Sequence, residues 1–293
     1  MSGGEAYIFS ERKFFMKFTK MQGIGNDYVY VNCFEETVED PERVSEIISD
    51  RRFGIGSDGL VLIMPSDKAD FRMRIFNADG SEAMMCGNAT RCIGKYVYDN
   101  KMTDKTEVSL ETNSGIKYLK LFIENGIVET VEVDMGKAIL KPSDIPMTDD
   151  GDTFINKPVD VGGKMYNITA VSMGNPHCVI FTSGIDGINL EKIGPLFENH
   201  KYFPERVNTE FCEVIDGHTL KMRVWERGSG ETWACGTGAC ATAVAAVLCG
   251  YCKRDEEITV RLRGGDLAIT YKSDGCVMMR GPAAKVFDGD IDL

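Results

Sequence analysis

Phe76-Asn77-Ala78-Asp79-Gly80-Ser81-Glu82-Ala83-Met84-Met85-Cys86-Gly87-Asn88-Ala89-Thr90-Arg91-Cys92 is answered half a chain later by Glu226-Arg227-Gly228-Ser229-Gly230-Glu231-Thr232-Trp233-Ala234-Cys235-Gly236-Thr237-Gly238-Ala239-Cys240. Each stretch is a polar turn containing Gly, Ser and Glu, followed by Cys-Gly and a small polar residue. Each then enters a segment of small and apolar residues with helical character, Ala89 to Tyr98 in one and Ala239 to Leu248 in the other. Both thiols are therefore expected where a helix begins. One device used twice in 293 residues predicts two similar halves.

Working outward, the rest of the chain reads as many short strands and few helices. Strands are expected at Met16 to Lys20 and Tyr28 to Cys33, around a turn at Gly23-Ile24-Gly25-Asn26-Asp27. Asp40-Pro41 opens a helix that is expected to run to Arg52 and to turn Val44, Ile47 and Ile48 inward. Leu60 to Met64, Phe71 to Phe76, Glu107 to Glu111, Ile116 to Ile123 and Val128 to Met135 follow as strands, with a hairpin turn at Asn125-Gly126. The second half repeats the style. Strands are expected at Met165 to Ser172, His177 to Phe181, Glu210 to Ile215, Leu220 to Trp225, Ile258 to Leu262, Leu267 to Tyr271 and Val277 to Arg280, with a helix from Leu190 to Phe197. The class is α+β, each half a strand-rich sheet round a central helix. The halves are set at residues 1–134 and 135–280, and residues 1–15 are a candidate extension.

Composition narrows the function. A net charge of −12 and no Lys/Arg-rich run argue against nucleic acid and anionic membrane as partners. No apolar run reaches the ~20 residues of a membrane helix, and the first residues do not read as a signal peptide. Ten cysteines in such a chain point to reduced thiols in the cytoplasm. Gly54-Ile55-Gly56-Ser57-Asp58-Gly59 has dinucleotide-motif spacing, but a helix precedes it and a strand follows, the reverse of the required order. Cys249-Gly250-Tyr251-Cys252 ends a helix, where thiols are not activated, and lacks a second ligand pair, so no metal is expected. Nor does any lysine sit in a cofactor motif, and no cofactor is expected.

The chemistry implied by paired Cys-Gly helix starts is proton transfer. Free backbone N–H groups stabilise a thiolate, so both thiols are expected below the usual ~8.5, and therefore to be the most readily oxidised in the chain. The same N–H groups bind a carboxylate, and Gly allows close approach. Two such starts facing one carboxylate could remove a proton from the adjacent carbon on one face and return one on the other. His177, after Gly174-Asn175-Pro176, reads equally as a structural hydrogen-bonder or a site residue. Asn26, Asn77 and Asn208 each admit a turn-forming reading, which Asn77 resists best because it lies between a strand and the Cys86 turn.

Taken together, these motifs resemble the diaminopimelate epimerase family from about Met16 to Leu293. The resemblance rests on Gly23-Ile24-Gly25-Asn26-Asp27, Asn77 to Glu82, Cys86 to Cys92, Gly174 to His177, Glu226-Arg227-Gly228 and Ala234 to Cys240, in that order. It implies pseudo-twofold-related domains, with residues 281–293 returning as a strand to the first half. It implies a cofactor-independent isomerase of lysine and peptidoglycan biosynthesis that interconverts LL- and meso-diaminopimelate. Cys86 and Cys235 would be the acid/base pair. Gly87, Asn88, Gly236 and Thr237 would clamp the reacting carboxylate. Asn26, Asn77, Asn175, Asn208, Glu226 and Arg227 would bind the remainder, and His177 would help set thiol protonation with Glu226. Where some members carry a substrate-side Gln, this chain has Gly59, so that contact is not carried over. A proline or hydroxyproline racemase of the same fold is the alternative, although such relatives typically show Cys-Gly-His at the first site, against Cys86-Gly87-Asn88 here. The expected partner is a small molecule, and a homodimer is among the expected forms.

Overall fold

The computed structural model describes residues 15–293, and the candidate extension lies outside them except for Phe15. The first half begins with a hairpin, β1 (Phe15–Gly23) and β2 (Asn26–Asn32), closed by Ile24 and Gly25, both at positive φ as a type I′ turn demands. Helix α1 (Pro41–Ser49) crosses to β3 (Gly59–Met64), parallel to β2. Next come β4 (Phe71–Asn77), the short β5 (Glu82–Ala83), helix α2 (Gly87–Asp99), and the strands β6 (Glu107–Thr112), β7 (Gly115–Glu124) and β8 (Ile127–Lys137).

The second half runs β9 (Lys157–Val161), β10 (Lys164–Ser172), β11 (Pro176–Phe181), α3 (Leu190–Glu198), β12 (Asn208–Asp216), β13 (Thr219–Glu226), β14 (Gly230–Thr232), α4 (Gly236–Leu248), β15 (Glu257–Arg261), β16 (Asp266–Tyr271) and β17 (Cys276–Pro282). A last strand, β18 (Ala284–Asp292), returns to pair antiparallel with β1. The pairing pattern is that of the first half over again. β10 and β11 form the hairpin, β11 and β12 are parallel, β13 carries the short β14 and lies parallel to β15, and β16 and β17 complete the series. The first half has the same relations among β1–β2, β2–β3, β4–β5, β4–β6, β6–β7 and β7–β8. β8 and β17, equivalent strands, pair antiparallel to each other and join the halves. An antiparallel pair of equivalent strands is what a twofold relation produces.

Each sheet closes round one helix. α2 is buried without interruption from Gly87 to Gly94, and α4 from Gly238 to Ala246. A helix buried on all sides is mostly apolar or small; Ala, Gly, Cys and Thr let strands approach α4 closely, while α2 also buries Arg91, which donates to the Pro282 and Gly87 carbonyls. The main core includes both helices and runs across the seam, while smaller cores lie under α1 and α3. No helix of the described residues is long and apolar enough to cross a membrane.

Three local expectations are corrected. α1 stops at Ser49, because Asp50 leaves helical geometry and its carboxylate accepts the backbone N–H groups of Arg52 and Phe53. Of its expected inward residues only Ile48 is buried, and Ile47 is 42% exposed. Ser45 takes an inward place because its hydroxyl donates to the carbonyls of Phe76 and Asn77. The strands β5, β9 and β14 were not expected, since segments of two to five residues carry too little periodicity to read.

One glycine ties the halves at the future site. A Cβ on Gly264 would stand 1.8 Å from the Ile24 carbonyl oxygen, and the Gly264 N–H donates to the Trp233 carbonyl at 3.0 Å. Gly264 thus links the β1–β2 turn of one half to the residues before Cys235 in the other. Gly264→Ala is expected to cost about 2 kcal/mol as an overpacking change, read as a lowered thermal midpoint. An unchanged midpoint would mean that the β1–β2 turn yields freely.

Candidate active site

The short strands β5 and β14 hold the two polar turns against β4 and β13, and so aim each chain into its central helix. Cys86 caps α2 in extended conformation (φ −135°, ψ 120°), and Cys235 caps α4 in the same way (φ −115°, ψ 105°). Cys86 is half-buried and Cys235 buried. The helix starts approach across the seam. Asn88 Nδ2 donates to the Ala234 carbonyl at 3.3 Å. Added Cβ atoms on Gly87 and Gly236 would meet the end of the Met279 side chain at 2.7 and 3.1 Å, so both helix starts pack closely on this one β17 residue.

The Cys86 thiol donates to Asn26 Oδ1 at 3.4 Å. Cys235 Sγ accepts the Gly238 N–H at 3.3 Å and lies 3.6 Å from Thr237 Oγ1. Behind Thr237 runs a polar chain. Asn175 Nδ2 donates to Thr237 Oγ1 at 3.4 Å, Asn175 Oδ1 is 3.1 Å from His177 Nε2, and His177 Nδ1 is 2.6 Å from Glu210 Oε1. His177 and Glu210 are both fully buried. His177 is therefore joined to Cys235 through two intervening side chains.

The expected lowering of the thiol pKa values is not what the structure produces. Burial raises Cys86, against the pull of the Ala89 and Asn88 N–H groups and of Arg91. Burial also pushes Cys235 well above the ordinary value, reinforced by the nearby Glu226 and Glu210 carboxylates. Desolvation of a charge outweighs a few N–H dipoles when the sulfur has left water. Burial likewise raises the Glu226 carboxyl, opposed by hydrogen bonds with Thr232 and Cys235. Inactivation by iodoacetamide is accordingly expected to keep accelerating above pH 9.0, the ordinary thiol value. A plateau near neutrality in the ligand-free enzyme would restore the lowered-pKa reading. The expectation of ready oxidation, which rested on thiolate character, loses its support for the same reason.

A cleft of about 1150 Å³ opens beside the helix starts. Of the residues expected at the site, Asn26, Asn77 and Glu226 line it. Asn77 Nδ2 donates to Ser81 Oγ within its own turn. Asn208 lies behind, donating to the Pro176 carbonyl and accepting the Arg227 backbone N–H at 2.8 Å. The Arg227 guanidinium donates to the Glu205 carbonyl and pairs with no carboxylate among the described residues. Gly59 has φ 154°, and a Cβ there would stand 1.9 Å from the Phe76 carbonyl oxygen, so no side chain can replace the missing Gln without moving β4.

Several residues escaped the sequence reading. Glu210 was hidden as an ordinary strand residue, with a second acid, Glu213, three positions on in the same strand. Lys20, Asp27, Arg51 and Asp58 form an ion-pair network on the cleft wall, with Lys20–Asp27 at 2.6 Å, Arg51–Asp27 at 2.7 Å and Arg51–Asp58 at 2.9 Å. Asp58 belongs to the Gly54–Gly59 stretch that was set aside as a false dinucleotide motif. Cys249 closes α4, and Cys249 and Cys252 belong to no metal-ligating cluster among the described residues.

The family model of diaminopimelate epimerase matches residues 18–141 and again 169–286. The diaminopimelate epimerase of Agathobacter rectalis is 59% identical over 286 residues, covering 95% of this chain and all of the relative. That of Methanococcus maripaludis is 56% identical over 279 residues, again covering 95% of this chain and all of the relative. Among solved structures, a hydroxyproline epimerase from Agrobacterium vitis superposes with TM-score 0.68 at 13% identity, over 97% of this chain and 93% of its own. A phenazine biosynthesis protein of the PhzF family from Bacillus anthracis superposes with TM-score 0.69 at 17% identity, over 95% and 99%. At such identities the two superpositions speak to the fold alone.

Proposed function

The chain belongs to the diaminopimelate epimerase family, and on that premise we propose an isomerase that interconverts LL- and meso-2,6-diaminopimelate, with Cys86 and Cys235 as its two acid/base groups. The observation that carries the assignment of roles is the pair of Cys-capped helices, α2 and α4, meeting across one seam beside one cleft.

In this reading the reacting carboxylate lies between the N-termini of α2 and α4. The first-turn N–H groups of the two helices, at Gly87, Asn88, Gly236 and Thr237, clamp it. One sulfur, as thiolate, takes the α-proton. The electron pair moves into the carboxylate, whose added charge the fixed N–H dipoles stabilise. The other sulfur, as thiol, gives its proton to the opposite face of the carbon and is left as thiolate. The two sulfurs have then exchanged roles, and the enzyme stands ready for the reverse direction. Raised thiol pKa values keep the donor sulfur protonated and make the thiolate a stronger base toward a weakly acidic α-proton, while leaving a smaller thiolate population at neutral pH. Asn26, Asn77, Asn175, Asn208, Glu226 and Arg227 bind the remainder of the substrate. Glu226 and His177 bias the charge near Cys235, the first by direct hydrogen bond and the second through Asn175 and Thr237.

The test is incubation with LL-diaminopimelate in deuterated water, following α-deuterium incorporation and the LL-to-meso ratio, with proline and hydroxyproline as parallel substrates. Deuterium appearing at diaminopimelate together with meso product supports the reading. Exchange confined to proline or hydroxyproline would transfer the assignment to the racemase alternative.

A further inference from the structure

Asn26 presents two chemically opposite ends, and the structure shows which end meets which partner. Its Nδ2 donates to Asp58 Oδ2 at 2.7 Å, and its Oδ1 accepts the Cys86 thiol at 3.4 Å. Asp58 in turn is held on both oxygens. Oδ2 also accepts the Asp27 backbone N–H at 3.1 Å, and Oδ1 accepts Arg51 Nη2 at 2.9 Å. Arg51 is anchored by Asp27, which Lys20 secures from below through a buried ion pair at 2.6 Å. A carboxylate oxygen only accepts hydrogen bonds. Were the Asn26 amide reversed, its carbonyl oxygen would face Asp58 Oδ2, and its NH₂ group would face the sulfur.

We propose that Asp58 is a positioning residue for Cys86. By locking the Asn26 amide it offers the sulfur an acceptor in place of a donor, and so holds Cys86 in the protonated, proton-donating form. The inference rests on the two-thiol reading above and adds to it a residue with no place in that reading. It also gives the ion-pair network on the cleft wall a purpose, since Lys20, Asp27 and Arg51 all serve to keep the Asp58 carboxylate where it is.

Other groups facing Cys86 act on the same sulfur. Arg91 and Cys92 come from α2, Tyr28 and Tyr30 from β2, and Glu226 from β13. Arg91 favours the thiolate, whereas Glu226 favours the thiol. The Tyr28 hydroxyl also touches the Asn26 side chain. Arg91, Cys92, Tyr30 and Glu226 keep their places when Asp58 alone is replaced, whereas Tyr28 also feels the Asp58 charge and loses it alike in Asp58→Ala and Asp58→Asn. The second half has no counterpart of this device. There the sulfur of Cys235 accepts the Gly238 N–H and its partner as acceptor is the Glu226 carboxylate, which needs no second residue to fix its orientation.

The experiment is site-resolved alkylation. Wild type, Asp58→Ala and Asp58→Asn are treated with iodoacetamide across a pH series, and the modified fraction at Cys86 and Cys235 is read by peptide mass spectrometry. In Asp58→Ala the amide loses its lock. In Asp58→Asn the side-chain oxygen keeps the Asp27 N–H and Asn26 Nδ2, and its NH₂ takes the Arg51 side, where Arg51 retains Asp27, so the charge goes and the lock stays. Only Asp58→Ala frees the Asn26 amide to turn a donor toward the sulfur. In Asp58→Ala the Cys86 curve is expected to move down by about one pH unit, a roughly tenfold faster modification at neutral pH, as the exchange of one hydrogen bond warrants, and in Asp58→Asn it is expected to move less. The Cys235 curve is expected to stay in place. A Cys86 curve that coincides with wild type in Asp58→Ala, or that moves as far in Asp58→Asn, overturns the proposal, and so does a parallel shift of the Cys86 and Cys235 curves, which would mark general loosening. The readout needs no turnover, so it stands apart from the two-thiol reading. That reading fails if full modification of Cys86 leaves epimerisation intact.

Discussion

Cys86→Ala is expected to lower epimerisation by ~10³-fold or more, and Cys235→Ala to do the same, because acid/base groups of this kind supply factors of ~10² to 10⁴ each. Both losses should be of similar size. Each inversion uses one sulfur as acceptor and the other as donor, so neither can be spared in either direction. The variants should differ from each other in a way that an inactive or unfolded protein would not show. With one sulfur left, a substrate whose α-hydrogen faces that sulfur can lose its proton and recover a deuteron from the same face. Cys86→Ala should therefore catalyse exchange without inversion from one stereoisomer only, and Cys235→Ala from the other. Exchange is measured by NMR in deuterated water, starting separately from the LL and meso forms. Near-wild-type inversion in either variant would defeat the two-base assignment. Exchange from the same stereoisomer in both would place the two sulfurs on one face of the carbon. Alanine at Cys235 leaves a small void among buried neighbours, so retained thermal stability should be verified alongside.

Arg227→Lys is expected to reduce kcat/KM for diaminopimelate by about 10²-fold, the loss corresponding to one charge-assisted, bidentate pair. The substrate carries an amino acid group at each end, and only one end reacts. The other presents a carboxylate that needs a planar cation. Arg227 follows Glu226 at the end of β13, and its backbone N–H is fixed by Asn208. Its guanidinium donates to one backbone carbonyl and is neutralised by no carboxylate among the described residues, which leaves charge to spare for a ligand. Lysine keeps the charge but loses the fork. The loss should therefore appear in both KM and kcat, since a far end held loosely also misplaces the reacting carbon. Unchanged kinetics would remove Arg227 from the site. An equal loss of thermal stability would make its role structural.

The fold was legible where the chain repeats itself. Asn26 begins β2 and Asn175 directly precedes its counterpart β11, and Cys86 and Cys235 cap equivalent helices, because similar local signals recur at both places. The Asn125-Gly126 turn was legible for a local reason, since both residues take the positive φ that a tight hairpin needs. Where a reading failed, the deciding partner lay far along the chain. Ser45 turns inward because carbonyls at Phe76 and Asn77 await its hydroxyl. Asp58 was passed over because its worth depends on Asn26 and Arg51, which only the sheet brings beside it.

The sequence by itself determined the two halves, the two Cys-Gly pairs, their places at helix starts and the family to which the chain belongs. All of these are written in residue order and short-range geometry, so they survive without a third dimension. Only the tertiary structure decided the protonation tendencies of the thiols, and it reversed the expectation. A helix N-terminus lowers a thiol pKa when the sulfur remains in water. Here the antiparallel β8–β17 seam brings the two helix starts together, the second half's own β12 and β13 set Glu210 and Glu226 near Cys235, and burial removes the water that would have made the helix dipoles decisive. Desolvation depends on what surrounds a group from every direction, and no stretch of sequence contains that information.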